Sequence, residues 1–396
     1  MEDSANALEH QPHRPRLTAV LREGEQVTPL ELFFDLVFVL AITQCTALMS
    51  AEPDWTGLAK AMLIFGMLWW AWGGYAWLTS VVDPEEGAVR IVMFVSMAGL
   101  LVCSLCVPRA FDDLGLTFAV AYGVVRAAHI ALFVIASRDD ANLRRSVLGL
   151  AVSTAIGVGL LATASAFDGL AQGLLWLLAL VLDMAGPFFF GTEGWKLVPS
   201  HFAERHGLIV IIALGESIVA IGIGASTQVN AGTITAAVLG IALAAAMWWA
   251  YFDVVSILTA RRLAATEAGR ERNEMARDSF SYLHFPMVAG ILLVALGLKK
   301  TLAHDGDPLG DMPAFALTGG LALYLLGHVS MRLRNVGTLS RRRLGLAILL
   351  LALTPAGTAL PALATLAIVT VLAWALIANE TRMYGEGRDR VRHAAG

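Results

Sequence analysis

Long apolar stretches separated by short polar ones run through almost the whole sequence. A membrane-spanning helix needs about 20 mostly apolar residues, and on that criterion the chain predicts twelve spans. Their expected positions are 30–50, 56–79, 90–107, 115–136, 146–166, 169–190, 206–226, 231–257, 281–298, 314–332, 344–360 and 361–379. Pro355 and Pro361 mark a tight turn between the last two. The pattern therefore predicts an all-α, polytopic membrane bundle, with little of the chain outside the bilayer.

Composition supports this fold class. Of the 396 residues, 57% are hydrophobic and only 15% are charged, against about a quarter charged in soluble domains. The expected partner is the lipid bilayer. We find no basic nucleic-acid patch, phosphate loop, nucleophile elbow or metal-ligand spacing, so we expect no enzyme, metal or cofactor; homo-oligomerisation is left open.

The basic residues predict the orientation. With the N-terminus in the cytosol, 23 of the 28 Lys and Arg residues fall in inner loops and tails. Arg109, Lys299 and Lys300 fall outside, and Lys60 and Arg126 fall within spans. This asymmetry follows the positive-inside rule, with both termini cytosolic.

The second half of the chain repeats features of the first. The stretch 69–72 (WWAW) is matched by 248–251 (WWAY), and His129 by His328. Six spans in each half would make the two repeats parallel, although chance similarity among Ala- and Leu-rich helices is the alternative. The predicted organisation is a cytosolic tail 1–26, a first repeat 27–190, a cytosolic linker 191–203, a second repeat 204–379 and a cytosolic tail 380–396.

Acidic residues in the first and seventh spans are the main candidates for function. Glu31 and Asp35 are four apart and share a helix face, with Gln44 further along; Glu204 and Glu216 lie in the seventh span. A carboxylate inside an apolar helix is costly unless it is paired, protonated or in contact with water. We expect Asp35 and Glu216 to bind an ion or proton, with Glu31, Gln44 and Glu204 at the mouths. A structural ion-pair lattice is the alternative.

Other polar residues of the spans should form a supporting network. They are Arg126, His129, Asp183, Asp253, His284 and His328. We expect Arg126 to pair with Asp35 or Asp183, and His328, together with Arg332, to face Glu216.

Two stretches carry a family resemblance: ELFFDLVFVLAIT from Glu31, and ERHGLIVIIALGESIVAIG from Glu204. They resemble the signatures of the bacterial low temperature requirement A family, and the likeness extends to about Asn379. It implies a multi-pass protein of the bacterial inner membrane connected with growth in the cold, without an established activity. Phe33-Phe34-Asp35 is also similar to the F-S-D motif of TMEM-type potassium channels with six-helix repeats, which is a hint about architecture.

Three functions remain open on the sequence. The favoured hypothesis is a channel or secondary transporter for a small ion or solute, with the first and seventh spans lining the path. The alternatives are a non-catalytic membrane component of cold adaptation and a membrane enzyme or lipid-handling protein.

Overall fold

Helices make up nearly all of the structure, a computed structural model that describes residues 26–85, 87–191, 194–225 and 229–393. In chain order they are α1 (Pro29–Ala51), α2 (Trp55–Thr79), α3 (Gly87–Cys106), α4 (Gly115–Ala136), α5 (Ala141–Ala164), α6 (Gly169–Phe189), α7 (Pro199–Gly224), α8 (Ala231–Phe252), α9 (Val255–Ala265), α10 (Arg270–Ala276), α11 (His284–Ala303), α12 (Asp311–Val336), α13 (Arg341–Ala352), α14 (Thr354–Gly357) and α15 (Ala362–His393). The all-α fold class is confirmed.

Helix starts follow local sequence. Thr28 caps α1 and forms a capping box with Glu31, with Pro29 in the first turn. Asp54, Asp140 and Asn230 accept hydrogen bonds from backbone N–H groups at the starts of α2, α5 and α8. These caps satisfy donors that would otherwise be left unpaired at a helix end.

Eleven helical segments within the described ranges are long and apolar enough to cross a membrane. The eleventh predicted span, 344–360, is broken: α13 has 12 residues, and α14 follows after Leu353. Proline at position 355 explains the break, because it lacks an N–H and its ring clashes with the preceding turn.

The broken segment nevertheless runs the length of α12. At its start, Arg343 bonds to His328 in the C-terminal part of α12. At its end, a Cβ added to Gly357 would lie 3.2 Å from Ala314, in the first turn of α12. The pair α13–α14 therefore runs alongside α12 from His328 to Ala314.

The largest differences from the expected boundaries lie in three places. Helix α7 begins at Pro199, seven residues before the expected start and inside the predicted linker 191–203. The loop after α8 forms α9 and α10, and a π-helical segment, Arg277–Tyr282, joins α10 to α11. At the C-terminus, α15 continues to His393, well past the expected end at 379. Most of the predicted N-terminal tail, and the last three residues of the predicted C-terminal tail, lie outside the described residues.

The helix α11 lies at the centre of the molecule. It packs between α7 and α12 and also contacts α1, α2 and α8, and most of its side chains are buried. Gly290 and Gly320 allow the close crossing of α11 and α12, since a Cβ on Gly290 would approach the Gly320 carbonyl oxygen to 2.5 Å.

Neighbours follow one order in both halves. Helix α1 packs on α2 and α3, and then α3 on α4 and α4 on α5. Likewise α7 packs on α8 and α11, and then α11 on α12 and α12 on α13. A parallel two-repeat relation stays a prediction, with which this order agrees.

Candidate functional site

Glu31 uses its two carboxylate oxygens on different partners. Oε2 accepts from the Thr28 backbone N–H at 2.8 Å and from the Thr28 hydroxyl at 3.1 Å, within the helix cap. Oε1 lies 2.9 Å from His201 Nε2 and accepts from Arg205 at 3.0 Å. Glu31, His201 and Arg205 are all fully buried. One side chain therefore both starts α1 and fastens it to α7.

Asp35 lies one turn further along α1 and shares the same arginine. Its Oδ1 accepts from Arg205 at 2.6 Å and from Trp72 Nε1 of α2 at 2.8 Å. Arg205 also donates to Thr79 Oγ1 of α2 at 3.2 Å. We call Glu31, Asp35 and Arg205 the Arg205 triad. The triad joins α1 to α7, and its hydrogen bonds with Trp72 and Thr79 connect it to α2. All three residues of the triad are fully buried. Asp35 therefore forms an ion pair of the kind described above as the structural alternative to ion binding.

Glu216 has a different environment. It is 3% exposed, and Thr43 Oγ1 of α1 donates to its Oε2 at 2.6 Å. The Thr46 hydroxyl also lies beside the carboxylate and donates to the Ile42 carbonyl at 3.2 Å, and Lys299 of α11 supplies a positive charge in the surroundings. No salt bridge joins Glu216 to a described Lys, Arg or His residue. Neutral hydroxyls therefore hold a buried carboxylate in the middle of the bundle.

Glu204 and Gln44, the two remaining residues of the predicted path, are less buried than Asp35 and Glu216. Glu204 is exposed at the start of α7 and accepts from the Val27 backbone N–H at 3.2 Å. Gln44 is half-buried on α1, and no described residue forms a hydrogen bond with its side chain.

Arg126 forms a salt bridge with Asp183, one of the two carboxylates expected as its partner. Its NH2 lies 3.1 Å from Asp183 Oδ1, and Thr154 and Tyr122 donate to the same carboxylate at 2.8 Å each. His129, one turn along α4, bonds to the Gly74 carbonyl at 2.9 Å. This network joins α2, α4, α5 and α6 within the first half.

The second half has a related arrangement with different residues. Arg343 of α13 donates to both Glu380 oxygens at 2.9 Å, to the Ala250 carbonyl at 3.3 Å and to His328 Nδ1. We expected His328 and Arg332 to face Glu216; instead, Arg343 and Glu380 are the partners near His328, and Arg332 donates to Thr338.

His284 and Asp253 also belong to the second half. The His284 ring accepts at Nε2 from the Tyr251 hydroxyl at 2.8 Å and donates from Nδ1 to the Ser279 carbonyl at 2.8 Å. Asp253 is buried immediately after the end of α8.

Sequence reasoning missed four residues that the structure places in these networks: His201, Arg205, Arg343 and Glu380. The distribution of basic residues places Arg205 in an inner loop. However, Glu204-Arg205-His206 opens the second stretch that resembles the family signature. The position of Arg205 four residues after His201 is the signal that could have placed it on the buried face of α7.

The chemistry available here is ion pairing, hydrogen bonding and proton or cation binding at carboxylates. Over the described ranges, no three His, Cys, Asp or Glu side chains converge as metal ligands. Many apolar helices long enough to cross a membrane, with buried acids, arginines and histidines between them, define a multi-pass membrane protein with polar networks inside an apolar core.

Comparison with known proteins agrees with a multi-pass membrane protein and identifies its family. The family model described as "Bacterial low temperature requirement A protein (LtrA)" matches residues 26–378, and the chain therefore belongs to the LtrA family. A protein of Rhizobium meliloti (strain 1021), described as "Uncharacterized protein RA0937", is 32% identical over 318 residues, which is 76% of each chain. No solved structure matches.

Proposed function

We propose that this LtrA-family protein is a channel or secondary transporter for a small cation or for protons, with Glu216 as the binding group. The observation that carries the proposal is that Glu216 is nearly buried, accepts a 2.6 Å hydrogen bond from Thr43 and forms no salt bridge with a described residue. A charged carboxylate in such a place is expensive. A bound proton or cation would remove that cost.

The interface of α1 and α7 would form the path. Glu216 lies about 25 Å along the α7 axis from Pro199, at 1.5 Å per residue, and therefore far from the inner end of the helix. The Arg205 triad lies close to the inner end of the same interface. In this proposal Glu216 is the binding site, and the triad closes the inner end, which revises the role expected of Asp35.

Proteoliposomes containing the purified protein test the proposal. Dyes inside the vesicles that respond to pH, Na⁺ or K⁺ would follow flux of each ion under the corresponding imposed gradient. Glu216→Gln keeps the shape of the side chain and removes its charge, and we expect flux to fall about tenfold or more, as for the loss of a charged hydrogen-bond acceptor. Thr43→Val should instead weaken the apparent cation or proton affinity.

Glu267→Gln is the matched control, because it removes one carboxylate from the exposed segment between α9 and α10. Its flux should equal that of the unaltered protein. Absence of flux under all three gradients, or flux that Glu216→Gln leaves unchanged, would refute the proposal and favour a non-catalytic membrane component.

A further inference from the structure

A cavity of about 620 Å³ opens among α9, α12, α13 and α15. It lies at the end of the bundle where α12 ends and α13 begins, which the distribution of basic residues assigns to the cytosolic side. Four arginines line it, Arg261, Arg262, Arg332 and Arg343, together with one carboxylate, Glu380. The cavity is therefore rich in hydrogen-bond donors and carries a positive balance of charge.

Two buried polar atoms in its lining residues have no hydrogen-bond partner among the described residues: Asn335 Nδ2 and His328 Nε2. Asn335 is 7% exposed and His328 is 2% exposed. The Asn335 amide is oriented by Ser279, whose hydroxyl donates to Oδ1 at 2.6 Å, so the NH₂ group is the unpartnered end. Buried donors of this kind normally have an acceptor.

The tautomer of His328 follows from its neighbour. Arg343 bonds to Nδ1, and a guanidinium group only donates. In a neutral ring Nδ1 is then the acceptor and Nε2 carries the hydrogen. Both unpartnered atoms are therefore donors, so these two side chains add donor groups to the wall of the cavity, where an acceptor would complement them.

The arginines that line the cavity differ in the partners that they already have. Arg343 is paired with Glu380 through two 2.9 Å hydrogen bonds. Arg262 and Arg332 form no salt bridge with any described carboxylate, and Arg332 has a single 3.0 Å bond to Thr338 Oγ1. Both are exposed, so their charges are available to an anion. Arginine suits phosphate because its donors form a planar fork.

Apolar side chains adjoin these arginines. Leu258 of α9 is 44% exposed and Val336 of α12 is 50% exposed, and both line the cavity. We propose that this cavity binds a phosphate group, and that the apolar side chains favour the headgroup of an anionic phospholipid over a soluble phosphate. The inference does not depend on Glu216 or on transport.

Native mass spectrometry of the delipidated full-length protein in detergent tests this. The probes are phosphatidylglycerol, phosphatidylcholine, glycerol 3-phosphate and inorganic phosphate. We expect a phosphatidylglycerol adduct that phosphatidylcholine does not match. The double variant Arg262→Gln/Arg332→Gln should weaken it about tenfold or more, given the usual contribution of each arginine near an anionic headgroup.

Two further variants sharpen the result. Arg144→Gln/Arg145→Gln removes the same charge from an exposed inner segment of the first half and should bind like the unaltered protein. Asn335→Asp keeps the acceptor for Ser279 but replaces the unpartnered donor by a carboxylate oxygen, and it should also weaken the adduct.

Each outcome is decisive. Adducts of glycerol 3-phosphate or inorganic phosphate, lost in the Arg262/Arg332 variant and without a phosphatidylglycerol adduct, would support the phosphate site and assign a soluble source. Equal binding of phosphatidylglycerol and phosphatidylcholine, equal loss in the Arg144/Arg145 control, or no adduct with any probe would overturn the proposal.

Discussion

Replacement of Arg205 by methionine tests the energetic role of the Arg205 triad. The change leaves Glu31 and Asp35 buried, one turn apart on α1, without the cation that both contact at 3.0 and 2.6 Å. Removal of one partner from a buried ion pair costs about 3–5 kcal/mol. With an unfolding entropy of ~2.1 cal/mol/K per residue over 396 residues, that cost lowers Tm by about 4–6 °C.

Thermal unfolding in detergent micelles, followed by tryptophan fluorescence, measures this shift. Arg144→Met, at an exposed position in the first turn of α5, is the matched control and should leave Tm unchanged. The triple variant Arg205→Met/Glu31→Gln/Asp35→Asn should recover most of the loss, because neutral amides need no counter-charge. A single variant as stable as the control, or a triple variant no more stable than the single one, would refute the reasoning.

Two further predictions concern packing and orientation. Gly290→Ala should lower Tm, because its Cβ would meet the backbone of α12 at 2.5–2.8 Å, whereas Gly345→Ala, with nothing within 4 Å, should not; equal effects would contradict the close crossing. In intact cells a membrane-impermeant thiol reagent should label Asp112→Cys but not Arg138→Cys, both exposed, against a background of buried native cysteines. The reverse labelling pattern would contradict cytosolic termini.

Much of the fold could be predicted from the sequence because the bilayer imposes a length and a polarity on each span. The limits of α4 and α6, for example, lie within one residue of the expected ones. The break before Pro355 was harder to place, because the apolar stretch continues through it and only backbone geometry interrupts the helix. The helices α9 and α10 were missed because mixed charge in that segment is equally typical of a loop.

The candidate site was less predictable. Burial of Asp35 and Glu216 follows from their positions in apolar stretches, but their partners lie about 170 residues away in sequence. Which cation reaches a carboxylate depends on how helices pack, and hydrophobic periodicity does not specify that. Arg343 illustrates the difficulty: a basic residue in the first turn of a span is usually a marker of orientation, yet here it is buried and bound to Glu380.

The Arg205 triad also has a mechanical consequence. Its arginine belongs to the second half of the protein and its two acids to the first. The triad therefore connects the two halves at one end of the α1–α7 interface. Sliding of one half along the other would break these salt bridges, whereas a tilt about them would keep them. Thr43 lies about 12 Å along α1 from Asp35, so a tilt of ~10° about the Arg205 triad would separate Thr43 from Glu216 by about 2 Å. The salt bridges of the triad would then act as the pivot of a tilt that widens the α1–α7 interface near Glu216.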